Sequence, residues 1–201
     1  MSTRTSKSLA ALAVLAVVTS GGITACTPDF ASDSQASVIL KITKITGESG
    51  EDQEEGDFLN SDVFPVFNDN AVLDFLLQSK NPTTTAGPHE AVFLERYEVR
   101  YFRSDGRNTE GVDVPYRITG PLATLVEPDA GASAAIVVVR HQAKEEPPLR
   151  NLRFNAGLGT GGGHDLLTVI AEITVHGQTG SRKGVSAVGR LQINFADFAD
   201  N

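Results

Sequence analysis

The chain has a single cysteine, a single methionine and no tryptophan among its 201 residues. One sulfur atom cannot form an internal disulfide, and a cysteine-based zinc cluster needs several, so the sequence excludes both kinds of scaffold. Charged residues make up 21% of the chain and hydrophobic residues 40%. This balance disfavours a disordered chain and a coiled coil, and it predicts one compact domain with or without tails.

The first 25 residues have the features of an export signal. Arg4 and Lys7 give a positive start, and residues 9–18 form an apolar run of ten residues. Such a run is too short to cross a bilayer of about 30 Å as a helix. Small residues follow, and the sequence Ile-Thr-Ala-Cys at 23–26 resembles the lipobox of bacterial lipoproteins.

This resemblance implies cleavage before Cys26, lipid attachment to the Cys26 sulfur and acylation of the new amino terminus. Two or three acyl chains hold a protein durably on a membrane. Residue 27 is Thr and not Asp, which favours the outer membrane over the inner one. An ordinary secretory peptide that ends at Ala25 and leaves Cys26 as a free thiol is the alternative.

The charge of the processed chain restricts its partners. Without residues 1–25 the chain has 15 basic and 25 acidic residues, a formal charge of −10. Such a domain is repelled by nucleic acid and by anionic headgroups. The expected contacts are therefore a membrane, through covalent lipid at Cys26, and another envelope protein. No cofactor is indicated.

The processed chain divides into a small, polar tether at 26–37 and one folded domain at 38–201. In the domain, apolar residues recur with a period of two, which indicates strands with one buried and one solvent-exposed face. The residues expected on buried faces are Phe93, Tyr97, Val99 and Tyr101 in 92–103, Leu167, Val169, Ala171, Ile173 and Val175 in 166–176, and Val185, Ala187, Leu191, Ile193 and Phe195 in 184–195. The expected strands are 38–46, 62–67, 71–79, 92–103, 112–119, 133–142, 166–176 and 184–195. The segment 133–142 is apolar on both faces and is expected at a sheet centre, and Pro115 places 112–119 at an edge.

The last two strands carry a further resemblance. The segment 171–195, AEITVHGQTGSRKGVSAVGRLQINF, resembles the final hairpin of bacterial immunoglobulin-like domains. The strand pattern, the turn-rich spacers and this resemblance together predict an all-β fold, an antiparallel, immunoglobulin-like β-sandwich of about eight strands, with a barrel as the alternative. Tyr97, Tyr101 and Tyr116 fall on the expected buried faces, which disfavours a sugar-binding surface.

Several patterns suggest chemistry, and each has a simpler interpretation. Residues 157–162 match GxGxxG, but the segment after them alternates as a strand and not a helix, so a glycine-rich loop is expected. The acidic stretch 47–57 is expected to be a solvated loop, with weak calcium binding as the alternative. The four histidines, His89, His141, His164 and His176, have no metal-ligand spacing, so no metal site is expected.

A second polar loop, 103–113, mixes charges of both signs. Its residues Arg103, Asp105, Arg107, Glu110 and Asp113 are expected to pair across a hairpin connection. The loop is also the candidate interaction site, because arginine makes planar, bidentate contacts with carboxylates.

No catalytic residues are singled out, so the leading hypothesis is a non-catalytic, lipid-anchored envelope protein with a structural or protein-interaction role. The alternative is a periplasmic or surface accessory protein that binds a small ligand or metal ion, and a hydrolase comes third. A pocket in which histidines or carboxylates converge would favour the latter two.

Overall fold

The computed structural model describes residues 36–50, 55–153 and 166–198. Strands take up 59% of these residues and helices 8%, so the all-β prediction is confirmed. The strands are β1 (Val38–Glu48), β2 (Glu55–Gly56), β3 (Phe58–Asp62), β4 (Asp69–Ser79), β5 (Val92–Phe102), β6 (Ile118–Val126), β7 (Ala132–Val139), β8 (Leu167–Thr179) and β9 (Gly184–Ala196). A single helical turn, α1 (His141–Lys144), and 3₁₀ turns at Pro88–Glu90 and Leu149–Leu152 complete the described elements.

The strands form two sheets that together give a sandwich-like fold. One sheet has the order β2-β1-β4-β7, and the other, which curls into a half-barrel, has the order β3-β9-β8-β5-β6. Every neighbouring pair is antiparallel except β3 and β9, which run parallel. The expectation of a purely antiparallel fold is therefore wrong at this one pair.

The interior is filled by the alternating apolar residues of both sheets. In β8 and β9 the predicted alternation is confirmed, since the apolar side chains named by the pattern are buried: Leu167, Val169, Ala171, Ile173, Val175, Val185, Ala187, Leu191, Ile193 and Phe195. Tyr101 is buried as expected, and its hydroxyl donates a 2.6 Å hydrogen bond to the Val138 carbonyl of the opposite sheet. Tyr97 is also buried, but Tyr116 is 56% exposed, so the prediction for Tyr116 is wrong.

A bulge in β5 changes which side chains face the core. The pairing of β5 with both neighbours shifts between Leu94 and Arg96. The pattern places Phe93 on the buried face with Tyr97, but the extra residue at the bulge reverses the alternation. Phe93 is consequently exposed, and Val92 and Leu94 are buried instead.

Three expected strands differ from those observed. The segment 62–67 is mostly a loop, since β3 ends at Asp62. The segment 112–119 is also mostly loop and includes Pro115, because β6 begins only at Ile118. The strand expected at a sheet centre, β7, lies at the edge of the first sheet.

Candidate functional site

The strand register defines two ends of the fold. At the near end, β1 begins at Val38, which pairs with Ser79, the last residue of β4. At the far end, Glu48 of β1 pairs with Asn70. With eleven residues at about 3.3 Å each, β1 separates the two ends by about 35 Å. The candidate interaction loop leaves β5 at the far end, because Phe102 pairs with Ile170 near the start of β8.

Three residues of this loop form one ionic group centred on Asp105. Arg103 donates to both oxygens of Asp105, at 3.1 Å from Nε and 2.6 Å from Nη2. Arg107 adds hydrogen bonds from its Nε at 3.0 Å and its backbone N–H at 3.1 Å. The hydrogen bonds from the Arg103 side chain and then from the Arg107 backbone hold the pKa of the Asp105 carboxyl well below its usual range.

The other two candidate residues of the loop have separate partners. Glu110 accepts a 2.9 Å hydrogen bond from Nε of Arg117, and Asp113 accepts one of 3.2 Å from the backbone N–H of Thr109. The structure therefore brings together Arg103, Asp105 and Arg107 but not Glu110 and Asp113. Within the loop, opposite charges pair only among Arg103, Asp105 and Arg107 of these five residues, since the partner of Glu110 is Arg117 outside the loop and that of Asp113 is a backbone N–H.

Exposed aromatic side chains also gather at the far end. Phe64 is 54% exposed, Phe67 45% and Phe198 38%. The Asp62 Oδ1 atom accepts the backbone N–H of Phe64 at 3.0 Å and that of Phe198 at 3.4 Å, which places these two residues side by side. We call Phe64, Phe67 and Phe198 the far-end aromatic group.

Beneath this group lies a buried polar cluster that sequence reasoning missed. Nζ of Lys144 is 2.9 Å from Oδ2 of Asp69, and the two side chains are 2% and 1% exposed. The Ser61 hydroxyl donates to the same oxygen at 2.6 Å, and the Gly50 N–H donates to Oδ1 at 2.9 Å. A substrate cannot reach a serine and a lysine that are buried this deeply. The contacts of the cluster connect β3, β4 and α1, so its role is structural.

The chain around this cluster crosses the far end. At one side, Nη2 of Arg140 donates to the Thr119 carbonyl at 3.0 Å. At the other, Arg153 donates to the carbonyls of Val63 at 3.2 Å and Lys144 at 2.9 Å. The Arg153 guanidinium also lies 6.0 Å from the centre of the Phe64 ring. Residues 140–153 thus link the β6 side of the far end to the far-end aromatic group.

The histidines that the structure describes lie apart from one another. His89 is exposed in a 3₁₀ turn, His141 contacts Asn68 Oδ1 at 3.1 Å through Nδ1, and His176 lies on the outer face of β8. Within the described ranges, no three His, Cys, Asp or Glu side chains are placed to hold a metal ion.

Other predicted features fall wholly or partly outside the described residues. They are the export signal, Cys26, most of the tether, residues 51–54 of the acidic stretch, the GxGxxG segment and His164. In the part of the chain that is described, no helix is long and apolar enough to cross a membrane.

Comparisons with protein-family models, with curated proteins and with solved structures found no match to this chain.

Proposed function

We propose that the protein is a non-catalytic, lipid-anchored component of the cell envelope that docks another envelope protein through its far end. The observation that carries this proposal is the far-end aromatic group, three exposed phenylalanines opposite the end where the chain enters the fold. The lipid anchor at Cys26 rests on the lipobox resemblance.

The far-end aromatic group has the composition of an interface centre. Aromatic side chains and arginine are enriched where protein interfaces bury their most important contacts. Phe64 and Phe198 are adjacent, and the Arg153 guanidinium lies beside the Phe64 ring. Covering such rings with a partner removes apolar area from water at about 25 cal/mol per Å².

The position of this group suits an anchored protein. A tether at 26–37 reaches at most about 40 Å when fully extended, and it joins the fold at Val38. The far end lies about 35 Å beyond that point. A lipid at Cys26 would therefore hold the near end towards the membrane and leave the far end accessible to a partner, with the outer membrane favoured by Thr27.

The mixed loop 103–113 is the second part of the proposed docking surface. Arg107 is 65% exposed, and in the described part of the chain only its Nε and backbone N–H are engaged. Its terminal nitrogens can contact a carboxylate of the partner. Arg103, in contrast, is held by Asp105 through both its Nε and its Nη2.

We also propose that the fold is immunoglobulin-like, which its strand connectivity supports. Immunoglobulin domains place strands A, B and E in one sheet and strands G, F and C in the other, with C′ beside C in variable-type domains. Apart from the short edge strands β2 and β3, the sheet orders are β1-β4-β7 and β9-β8-β5-β6. They match this arrangement if β1, β4, β5, β6, β7, β8 and β9 are A, B, C, C′, E, F and G. An experimental structure with a different strand order would contradict this assignment.

The docking proposal is tested by quantitative co-purification after detergent extraction of the lipidated protein. The double variant Phe64→Ser/Phe198→Ser removes the rings of two exposed residues whose backbones lie side by side. Phe93→Ser is the matched control, since Phe93 is 48% exposed on the outer face of β5. We expect the wild type and the control to retain the same envelope protein and the double variant to lose it. Arg107→Ala should weaken capture with little change in melting temperature.

Equal capture by the wild type and the double variant would contradict docking at the far end. If Arg107→Ala instead lowers the melting temperature and leaves capture intact, the loop has only a structural role.

A further inference from the structure

A cleft of about 410 Å³ lies on the outer face of the half-barrel sheet, at the near end. The residues that line it include Arg96, His176, Gln178, Arg182, Gly184 and Ser186. We call this the near-end cleft. It lies at the end of the molecule opposite the proposed docking surface.

Strand pairing places the polar side chains of the cleft in register. Arg96 of β5 pairs with His176 of β8, and His176 pairs with Ser186 of β9. Side chains paired in this way have Cβ atoms about 5 Å apart. A guanidinium, an imidazole and a hydroxyl thus form one row across three strands. Gln178 and Gly184 pair in the next row towards the end of the hairpin.

The second arginine occupies an unusual backbone position. Arg182 is the last of the three residues between Thr179 and Lys183 in the β8–β9 turn and has a φ of 60°. The loop is closed by hydrogen bonds from Thr179 N to Lys183 O at 2.9 Å and from Arg182 N to Thr179 O at 2.8 Å. Three-residue hairpin loops favour glycine at this left-handed position, because a side chain strains the backbone there. An arginine held at such a cost suggests a use for its guanidinium.

The side chains of Arg96 and Arg182 have N–H donors that could bind a ligand. Among the residues that the structure describes, the Arg96 and Arg182 side chains form no ion pair and no hydrogen bond. The acid that also lines the cleft, Glu95, accepts a 3.2 Å hydrogen bond from Nε2 of Gln178. Two guanidinium groups against one carboxylate leave a local positive charge, although the whole chain is acidic.

We infer that the near-end cleft binds a phosphate group. A phosphate presents several acceptor oxygens, and arginine forks bind such groups with two parallel, charge-assisted hydrogen bonds. Arg96 and Arg182 would supply these forks, and the Ser186 hydroxyl would supply a further donor. A free phosphate, a phosphate monoester and a phospholipid headgroup share this chemistry. The site does not depend on the lipid anchor or on the far-end docking surface.

The test uses the full chain in detergent and three variants of the cleft. Arg96→Gln and Arg182→Asn each remove one charge, and asparagine tolerates the left-handed backbone at 182. Gly184 lines the cleft, and a Cβ at this position would meet nothing within 4 Å. Gly184→Leu therefore places a large side chain in the open space of the cleft. Arg150→Gln, an exposed arginine in the far-end 3₁₀ turn, removes the same charge elsewhere and is the matched control.

Calorimetry measures binding of inorganic phosphate, and ³¹P NMR measures binding of dihexanoyl phosphatidylglycerol below its micelle-forming concentration. We expect the wild type and Arg150→Gln to bind phosphate alike and each cleft variant to bind at least about tenfold more weakly. If the wild type binds the lipid and Gly184→Leu abolishes that binding, the cleft also binds phospholipid headgroups. Phosphate binding alone would assign it to free phosphate or monoesters.

Three results would each overturn the inference. The first is that neither probe binds the wild type, and the second is that the cleft variants bind as the wild type does. The third is that acetate displaces phosphate at equal concentration, since the site would then not select phosphate. Melting temperatures of all variants are measured as a control, to distinguish a loss of binding from a loss of folding.

Discussion

Replacing Lys144 with methionine tests the buried cluster at the far end. Methionine has a similar length and no charge, so Lys144→Met removes the ion pair with Asp69 and leaves little empty volume. The Asp69 carboxylate stays buried and keeps two of its three donors, the Ser61 hydroxyl and the Gly50 N–H. The substitution therefore isolates the energetic effect of the missing ammonium group.

Removing one partner of a buried ion pair costs about 3–5 kcal/mol, because the other charge is left uncompensated. The two remaining hydrogen bonds to Asp69 offset part of this cost. We therefore expect a loss near the lower bound, about 3 kcal/mol in the free energy of unfolding. For a domain of this size, that corresponds to a fall in melting temperature of about 6–12 °C.

Urea unfolding followed by circular dichroism gives the free energies. Lys41→Met is the control, because Lys41 is exposed on β1, and its effect should stay within about 0.5 kcal/mol. Asp69→Asn should also destabilise the fold, and the double variant should lose less than the sum of the single losses. If Lys144→Met costs no more than the control, or if the two losses simply add, the assigned energetic coupling is wrong.

Three further predictions concern the anchor, the core and the mixed loop. Cys26→Ala should abolish incorporation of labelled fatty acid, and equal labelling of variant and wild type would exclude lipidation at this residue. Ile173→Asp should unfold the domain, as measured by circular dichroism, since it buries an unpaired charge. Arg190→Asp on the exposed face should lower the free energy of unfolding by less than about 1 kcal/mol. If Arg190→Asp destabilises the domain more than Ile173→Asp does, the register of β8 and β9 is wrong. Arg103→Gln should raise the pKa of Asp105 towards its usual value in an NMR titration, because the Arg103 hydrogen bond is the main cause of the lowering. Any stabilisation from this carboxylate is present above the usual aspartate pKa and is lost as the pH falls through the lowered pKa. An unchanged pKa in the variant would refute the pairing of Arg103 with Asp105.

The strand pattern was predictable wherever one face of a strand is uniformly buried. In β8 and β9 the alternation runs without interruption, and the predicted starts lie within one residue of the observed ones. In β5 the same reasoning fails at Phe93, because a bulge between Leu94 and Arg96 adds one residue and moves the side chains to the opposite face. A period of two contains no information about where such a residue is inserted.

Chance alternation explains why a strand is expected at 112–119 where the structure has mostly loop. Val112, Val114, Tyr116 and Ile118 recur every second residue, as in a strand with one buried face. In the structure, Val114 and Ile118 are buried but Val112 and Tyr116 are exposed. The segment is held by turn hydrogen bonds such as Asp113 N to Thr109 O at 2.8 Å. Four residues are too few for the pattern to distinguish a strand from such a turn.

Neither the buried polar cluster nor the near-end cleft can be predicted from local sequence patterns, for the same physical reason. The buried cluster joins Ser61, Asp69 and Lys144 from β3, β4 and α1, and the near-end cleft joins residues of β5 with the β8–β9 hairpin. In the sequence Lys144 precedes two glutamates and two prolines, a setting typical of an exposed turn, and only the chain crossing at the far end buries it. A lysine becomes costly, and therefore informative, once burial removes it from water. That burial is a property of the assembled sheets and of no single segment.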